Sequence, residues 1–145
     1  MPRFFRRLRE GVFDEDDLRR RANELADFVA EARDAYGLAN PVAVGFSNGA
    51  NIAAAVLLLR PEALHGAVLM RAMPPFRNLP KSKLPGTPVL ILSGLMDSTA
   101  PAEGAARLAA ALTDSGANVQ RETLSADHRI TQEDLALAAA FLDKL

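Results

Sequence analysis

The feature that most constrains the fold of this chain is the stretch Gly45-Phe46-Ser47-Asn48-Gly49. It follows an apolar run at 41–44 and opens onto a helix-forming run at 51–59. A strand, the pattern G-x-S-x-G and a helix, in that order, predict a tight turn that exposes the serine hydroxyl at its tip. Glycines on both sides are expected to keep the neighbouring backbone free of clashes. The alternative is a structural turn that happens to contain a serine.

Strand and helix patterns alternate along the chain, which predicts one α/β domain over residues 1–145 with a mostly parallel sheet. The first helix is expected to begin at the acidic run from Asp14 and to end at Gly37. Strands are then predicted at 41–46, 66–72, 88–93 and 118–124, and helices at 48–59, 102–114 and 131–144. This order is typical of a three-layer arrangement with the sheet in the middle.

The base that a serine nucleophile needs can be sought among only two histidines. His128 lies near the C-terminus, after a strand-like run and before the last helix. Where a serine stands in such a strand–turn–helix, the acid follows it along the chain and the histidine comes last. His65 lies in a polar connection between a helix and a strand. We therefore select His128 as the candidate base and interpret His65 as a solvated loop residue.

The acid is assigned to Asp97, which follows the buried strand predicted at 87–94. An aspartate just past the carboxyl end of a strand lies on the edge where α/β sheets place their chemistry. Asp127 is the rival because it adjoins His128, but adjacent side chains rarely face each other well enough to hydrogen-bond. An aspartate at position 97 that only caps the next helix is the alternative reading.

Each of these residues has an expected role in catalysis. Ser47 is the nucleophile, and His128 takes its proton and later delivers it to the leaving group. Asp97 holds the imidazole in the required tautomer. The backbone N–H of Asn48, at the start of a helix, is the candidate oxyanion donor.

The chain resembles the carboxylesterase/phospholipase branch of the α/β-hydrolases, which are small serine esterases without a lid domain, and within it the hydroquinone-hydrolase-like members. The matching segments are 2–7, 10–14, the turn at 44–53, the strand at 66–69, the acid loop at 94–97 with Pro101, and the histidine loop with Thr131. The resemblance implies a small-molecule ester as substrate and an acyl-enzyme intermediate at the nucleophilic serine.

Two departures from that family stand out. Asp127 occupies a position where the family usually has glycine, which adds a negative charge beside the base. The family's first strands and its His-Gly loop, which gives a second oxyanion N–H, have no counterpart here. We therefore expect the C-terminal part of the fold, with about four strands and an exposed apolar edge at 42–46. Through this edge two copies are expected to form a homodimer, with poor solubility as the alternative.

Composition excludes several other classes of function. The formal net charge is −1, so nothing favours nucleic acid. The chain has no cysteine, and two isolated histidines do not make a zinc site, so neither a metal nor another cofactor is expected. No run of 18 apolar residues occurs, so no membrane span is predicted, and without the apolar core of a signal peptide the expected location is cytoplasmic.

The substrate pocket is the least defined part of the sequence. Phe46, Met73 and Met96 lie near strand ends and are candidates for its lining, as are Met70 and Phe76, with ordinary core packing as the alternative. Two other functions remain open. The chain could be a non-catalytic remnant that serves as a binding or assembly module, or a transferase that passes the acyl group to an alcohol.

Overall fold

A computed structural model describes residues 3–9 and 11–145 of the chain. Eleven elements follow one another along these residues. They are β1 (Arg7–Arg9), β2 (Val12–Phe13), α1 (Glu15–Tyr36), β3 (Val42–Phe46), α2 (Asn48–Leu59), a 3₁₀ turn (Pro61–Ala63), β4 (Gly66–Met70), β5 (Pro88–Gly94), α3 (Ala102–Asp114), β6 (Asn118–Leu124) and α4 (Gln132–Leu142).

The central sheet has four strands in the order β3-β4-β5-β6. Every neighbouring pair is parallel, with Val42 opposite Gly66 and Phe46 opposite Met70 in the first pair. The predicted α/β class and parallel sheet are therefore confirmed. Since the strands run in one direction, their carboxyl ends meet at the same edge of the sheet, where loops can gather functional groups.

Helices cover both faces of this sheet, which makes the three layers predicted from the sequence. Alternate residues of β4 and β5 point to opposite sides, as the pleat of a strand requires. One side packs against α1, α2 and α3 in the larger core, and the other side packs against α4. The smaller core on the α4 side contains Val68, Met70, Leu90, Leu92, Ala138 and Phe141.

The first long helix begins and ends where its sequence signals predict. Asp14 is the N-cap, and its side chain accepts a hydrogen bond from the backbone N–H of Asp17. Gly37 follows the last turn with a left-handed φ of 63°, and its N–H donates to the carbonyl of Arg33. Glycine adopts this left-handed conformation at little cost because it has no Cβ, and α1 therefore ends at this position.

Two local features differ from the sequence-based expectation. β4 ends at Met70 rather than at residue 72, because Arg71 turns into the left-handed region with a φ of 56°. The short antiparallel pair β1–β2 was not predicted, since strands of three and two residues carry no readable alternation. In the part of the chain that the structure describes, no helix combines the length and the apolar character needed to cross a bilayer.

We propose that β3 pairs with β3 of a second copy. It forms one edge of the sheet, and Val44 and Phe46 are 54% and 38% exposed. An apolar edge strand with open hydrogen-bonding groups pairs readily with another strand. The opposite edge, β6, carries polar residues such as Gln120 and Arg121, which discourage pairing. Light scattering during gel filtration at micromolar concentration is expected to give the mass of a dimer.

A matched pair of lysine substitutions assigns the interface to one edge. Val44→Lys places a charge in the proposed contact and is expected to give monomer, whereas Gln120→Lys on the other edge leaves the dimer intact. A monodisperse monomer for the unmodified chain would contradict the proposal.

Candidate functional site

The serine of the G-x-S-x-G pattern lies in the sharp turn between β3 and α2. Its backbone has φ 54° and ψ −115°, a conformation that non-glycine residues rarely adopt. Its N–H donates to the carbonyl of Met70 at 2.8 Å, which ties the turn to the end of β4. The turn that the sequence predicts is therefore present, and it places Ser47 at the carboxyl edge of the sheet.

The two glycines of the pattern have unequal roles. A Cβ added at Gly45 would lie 2.5 Å from the carbonyl carbon and oxygen of Gly49, a distance that backbone atoms cannot tolerate. A Cβ at Gly49 would meet only a ring carbon of Phe4, at an ordinary 3.7 Å. The expectation that both glycines prevent clashes is thus right for Gly45 and wrong for Gly49.

The structure brings three of the sequence-predicted side chains into one hydrogen-bonded chain. His128 Nε2 lies 3.0 Å from Ser47 Oγ, and His128 Nδ1 lies 2.8 Å from Asp97 Oδ2. In the tautomer with hydrogen on Nδ1, the ring donates to the carboxylate and accepts from the serine hydroxyl. This arrangement allows the imidazole to remove the serine proton while the carboxylate holds the ring.

The carboxylate of Asp97 is fixed by its own loop. Its side chain is fully buried, and Oδ1 accepts the backbone N–H groups of Thr99 at 2.8 Å and of Ala100 at 2.9 Å. Because Oδ1 is held by these two donors, Oδ2 is left facing His128. The loop after β5 therefore orients the acid before any substrate arrives.

Asp127 is engaged elsewhere and does not compete with Asp97. Its carboxylate accepts from the backbone N–H and the guanidinium of Arg129, and this pairing lowers the pKa of Asp127. Among the described residues, Ser47 and Arg71 alone have a positive φ without being glycine, so Asp127 fits its backbone without strain. The negative charge of Asp127, beside the base, is thus balanced by the positive charge of Arg129.

A cavity of about 270 Å³ opens beside the serine and the histidine. Met73 lines it together with Ser98 and Thr99 of the acid loop. A second cavity of about 420 Å³ shares Gly11 and Met73 with the first. Met73 therefore borders both cavities.

The other pocket candidates lie in different environments. The ring of Phe46 packs beside that of His128, with centroids 5.3 Å apart. Met96 is 63% exposed on the acid loop and is not among the residues lining the cavity beside Ser47. Phe76 is buried in the larger core but reaches the wall of the second cavity, and Met70 is buried in the smaller core.

Asn48 is the first residue of α2, so its N–H has no partner within the helix. Its side-chain carbonyl accepts a hydrogen bond from the guanidinium of Arg7, which also lines the cavity. Arg7 was not predicted as a site residue, since an arginine in a basic N-terminal stretch carries no positional signal.

Arg71 was not predicted from the sequence either, and its side chain is completely buried next to the histidine loop. A signal for it was present, because a single charged residue ends the otherwise apolar run 66–70. Such a residue requires buried partners. His65, the other histidine, is exposed between the 3₁₀ turn and β4.

Within residues 3–9 and 11–145, no three side chains from histidine, cysteine, aspartate and glutamate gather in a way that could hold a metal ion.

The sequence and the fold of this chain are similar to those of known proteins. The sequence pattern of the phospholipase/carboxylesterase family matches residues 5–145. The "Putative hydrolase MhqD" of Bacillus subtilis (strain 168) is 42% identical over 136 residues, which cover 92% of this chain and 68% of that protein.

Two solved structures have nearly the same fold. The Bacillus cereus carboxylesterase superposes with a TM-score of 0.94 at 40% identity, covering 99% of this chain and 69% of that one. A carboxylesterase from Mesorhizobium loti gives a TM-score of 0.91 at 29% identity, with the same coverage of 99% and 69%. This chain therefore belongs to the phospholipase/carboxylesterase family of α/β-hydrolases.

Proposed function

We propose that this chain is a serine esterase that hydrolyses small carboxylic esters through an acyl-enzyme on Ser47. The observation that carries the proposal is the continuous hydrogen-bonded chain from Ser47 through His128 to Asp97, with donor–acceptor distances of 3.0 and 2.8 Å. A serine hydroxyl is a weak nucleophile at neutral pH, and a base within hydrogen-bond reach is what activates it.

The first half of the reaction forms the acyl-enzyme. His128 Nε2 accepts the proton as Ser47 Oγ attacks the ester carbonyl carbon, and the negative charge moves onto the carbonyl oxygen. The N–H of Asn48, at the positive end of α2, stabilises that oxyanion. His128 then gives its proton to the departing alcohol, and the carbonyl forms again as an ester of Ser47.

The second half releases the acid. A water molecule loses a proton to His128 and attacks the acyl carbon, and the Ser47 oxygen leaves with that proton. Asp97 stabilises the imidazolium in both halves without becoming protonated itself. An alcohol can replace water in this step, which would make the same site a transferase.

The size of the site supports small substrates. The cavity beside Ser47 holds about 270 Å³, slightly below the range of about 300–1,000 Å³ that is usual for ligand pockets. Met73 and Gly11 line both this cavity and the second one of about 420 Å³. We propose that the acyl group lies in the first space and the alcohol extends past Met73 into the second.

The proposal is tested by acyl trapping. 4-Nitrophenyl acetate and 4-nitrophenyl butyrate are expected to release nitrophenolate faster with the protein than with buffer. Samples quenched in acid are expected to carry an acetyl or butyryl group on the peptide that contains Ser47. The variant Ser98→Ala, which changes another serine lining the same cavity, is the control and is expected to be acylated as well.

Turnover without an acylated Ser47 peptide, or acylation at another residue, would contradict the covalent mechanism. Neither turnover nor acylation by correctly folded protein would favour a non-catalytic role.

A further inference from the structure

The buried side chain of Arg71 has every hydrogen-bond donor occupied. Nη1 and Nη2 each donate at 2.8 Å to one carboxylate oxygen of Asp134, in a two-pronged ion pair. Nε donates to the carbonyl of Asp127 at 2.9 Å, and Nη2 donates to that of Arg129 at 2.9 Å. A longer contact of 3.5 Å joins Nη1 to the carbonyl of Leu92 on β5.

Two of these acceptors lie on either side of His128. The carbonyls of the residues before and after the histidine are thus both attached to one planar group that is itself completely buried. The imidazole has two hydrogen-bond partners, Asp97 and Ser47. The position of its backbone therefore decides whether the ring reaches both of them.

Asp134 provides a firm anchor for this guanidinium. It is the third residue of α4 and accepts the N–H and the hydroxyl of Thr131, while its own N–H donates back to that hydroxyl. Burial raises the pKa of Asp134, but the hydrogen bonds from Arg71 and Thr131 outweigh burial and leave the pKa below its usual value. The carboxylate is consequently charged at neutral pH.

The backbone of Arg71 indicates that this particular side chain is needed. Its φ of 56° is a conformation that favours glycine, and a non-glycine residue persists there only when its surroundings enforce it. The planar fork of arginine can bind a carboxylate and neighbouring carbonyls at once, whereas a lysine ammonium cannot match that geometry.

We infer that Arg71 is a positioning residue, which fixes the histidine loop so that His128 lies between Ser47 and Asp97. The inference rests on the proposed function and adds to it a residue that lies in the wall of the cavity beside Ser47, with its completely buried side chain turned to the histidine loop. A displacement of about 1 Å in a catalytic group costs on the order of 10²-fold in rate. Arg71 therefore acts on the rate of the chemical step more than on substrate binding.

Arg71→Lys tests this inference, because it keeps a positive charge near Asp134 and loses the fork. The expected result is a 10- to 100-fold lower kcat for 4-nitrophenyl acetate with KM within about twofold, and an equally slower phosphonylation of Ser47 by a fluorophosphonate. Arg60→Lys is the matched control. Arg60 pairs with Asp27 and Glu62 away from the site, so kcat should stay unchanged.

A purely structural role predicts a different pattern. In that case Arg71→Lys lowers the urea midpoint, but the folded variant keeps the kcat and labelling rate of the wild type, and the inference is overturned. Should Arg71→Lys not fold, as judged by circular dichroism, Asp134→Asn is read in the same way, with about a tenfold loss of kcat expected. A wild-type protein that is not labelled at all would refute the proposed function itself, whereas equal labelling of wild type and variant refutes only the role of Arg71.

Discussion

Replacing Asp97 with asparagine is expected to lower kcat for ester hydrolysis by about 10⁴-fold while the protein stays folded. Asparagine keeps the oxygen that accepts the N–H groups of Thr99 and Ala100, so the loop retains its shape. The atom that changes is the one facing His128 Nδ1, where an amide NH₂ replaces an acceptor. The ring then favours the wrong tautomer, with hydrogen on Nε2, and cannot take the proton of Ser47.

The neighbouring acid provides the control for this experiment. Asp127→Asn removes a carboxylate that adjoins His128 in sequence but binds Arg129 in the structure. We expect kcat to fall by no more than about threefold, because an exposed ion pair contributes little and the imidazole does not contact it. Steady-state kinetics on both variants decide the matter. A large loss for Asp127→Asn with a small loss for Asp97→Asn would reverse the assignment of the acid.

Gly45→Ala is expected to destabilise the protein by roughly 3 kcal/mol or more, a large part of the usual free energy of unfolding. The added methyl would lie 2.5 Å from the backbone of Gly49 and 2.6 Å from the backbone nitrogen of Ala50. Neither atom can move without disturbing the first turn of α2. Urea denaturation followed by circular dichroism measures the loss, and any folded fraction should be acylated more slowly because Ser47 has moved.

Gly49→Ala is the matched control, since it changes the other glycine of the same turn. Its methyl has room beside Phe4, and alanine is a better helix former than glycine in α2. The free energy of unfolding is expected to change by less than about 1 kcal/mol. Equal losses for the two substitutions would show that the close approach at Gly45 is not what limits the turn.

The arrangement of the elements could be read from the sequence because local signals coincide with it. The cap at Asp14, the stop at Gly37 and the apolar runs at β3, β4 and β5 all depend on neighbouring residues. The hairpin β1–β2 could not be found, since its pairing depends on contacts that five strand residues do not encode. Similarly, the end of β4 depends on the tertiary partners of Arg71 rather than on its propensity.

The candidate site likewise has residues that the sequence predicts and residues that only the fold brings together. Ser47, Asp97 and His128 were predicted because each follows a strand and their order along the chain is restricted. Arg71 was not predicted, because its partners Asp134 and the carbonyls beside His128 are 56 to 63 residues away in the sequence. The lining of the pocket depends on the fold as a whole. Phe46, Met73 and Met96 all lie near strand ends, but only the fold decides which of them faces the cavity.

The most direct test of the account is phosphonylation of the 145-residue chain by a fluorophosphonate, read by intact mass beside Ser47→Ala. The reagent needs an activated serine but no particular acyl group, so the result does not depend on knowing the natural ester. We predict one phosphonyl adduct per wild-type chain and none on the variant. A folded wild-type chain that gains no adduct, or a Ser47→Ala variant that gains one, would contradict the claim that His128 and Asp97 activate Ser47.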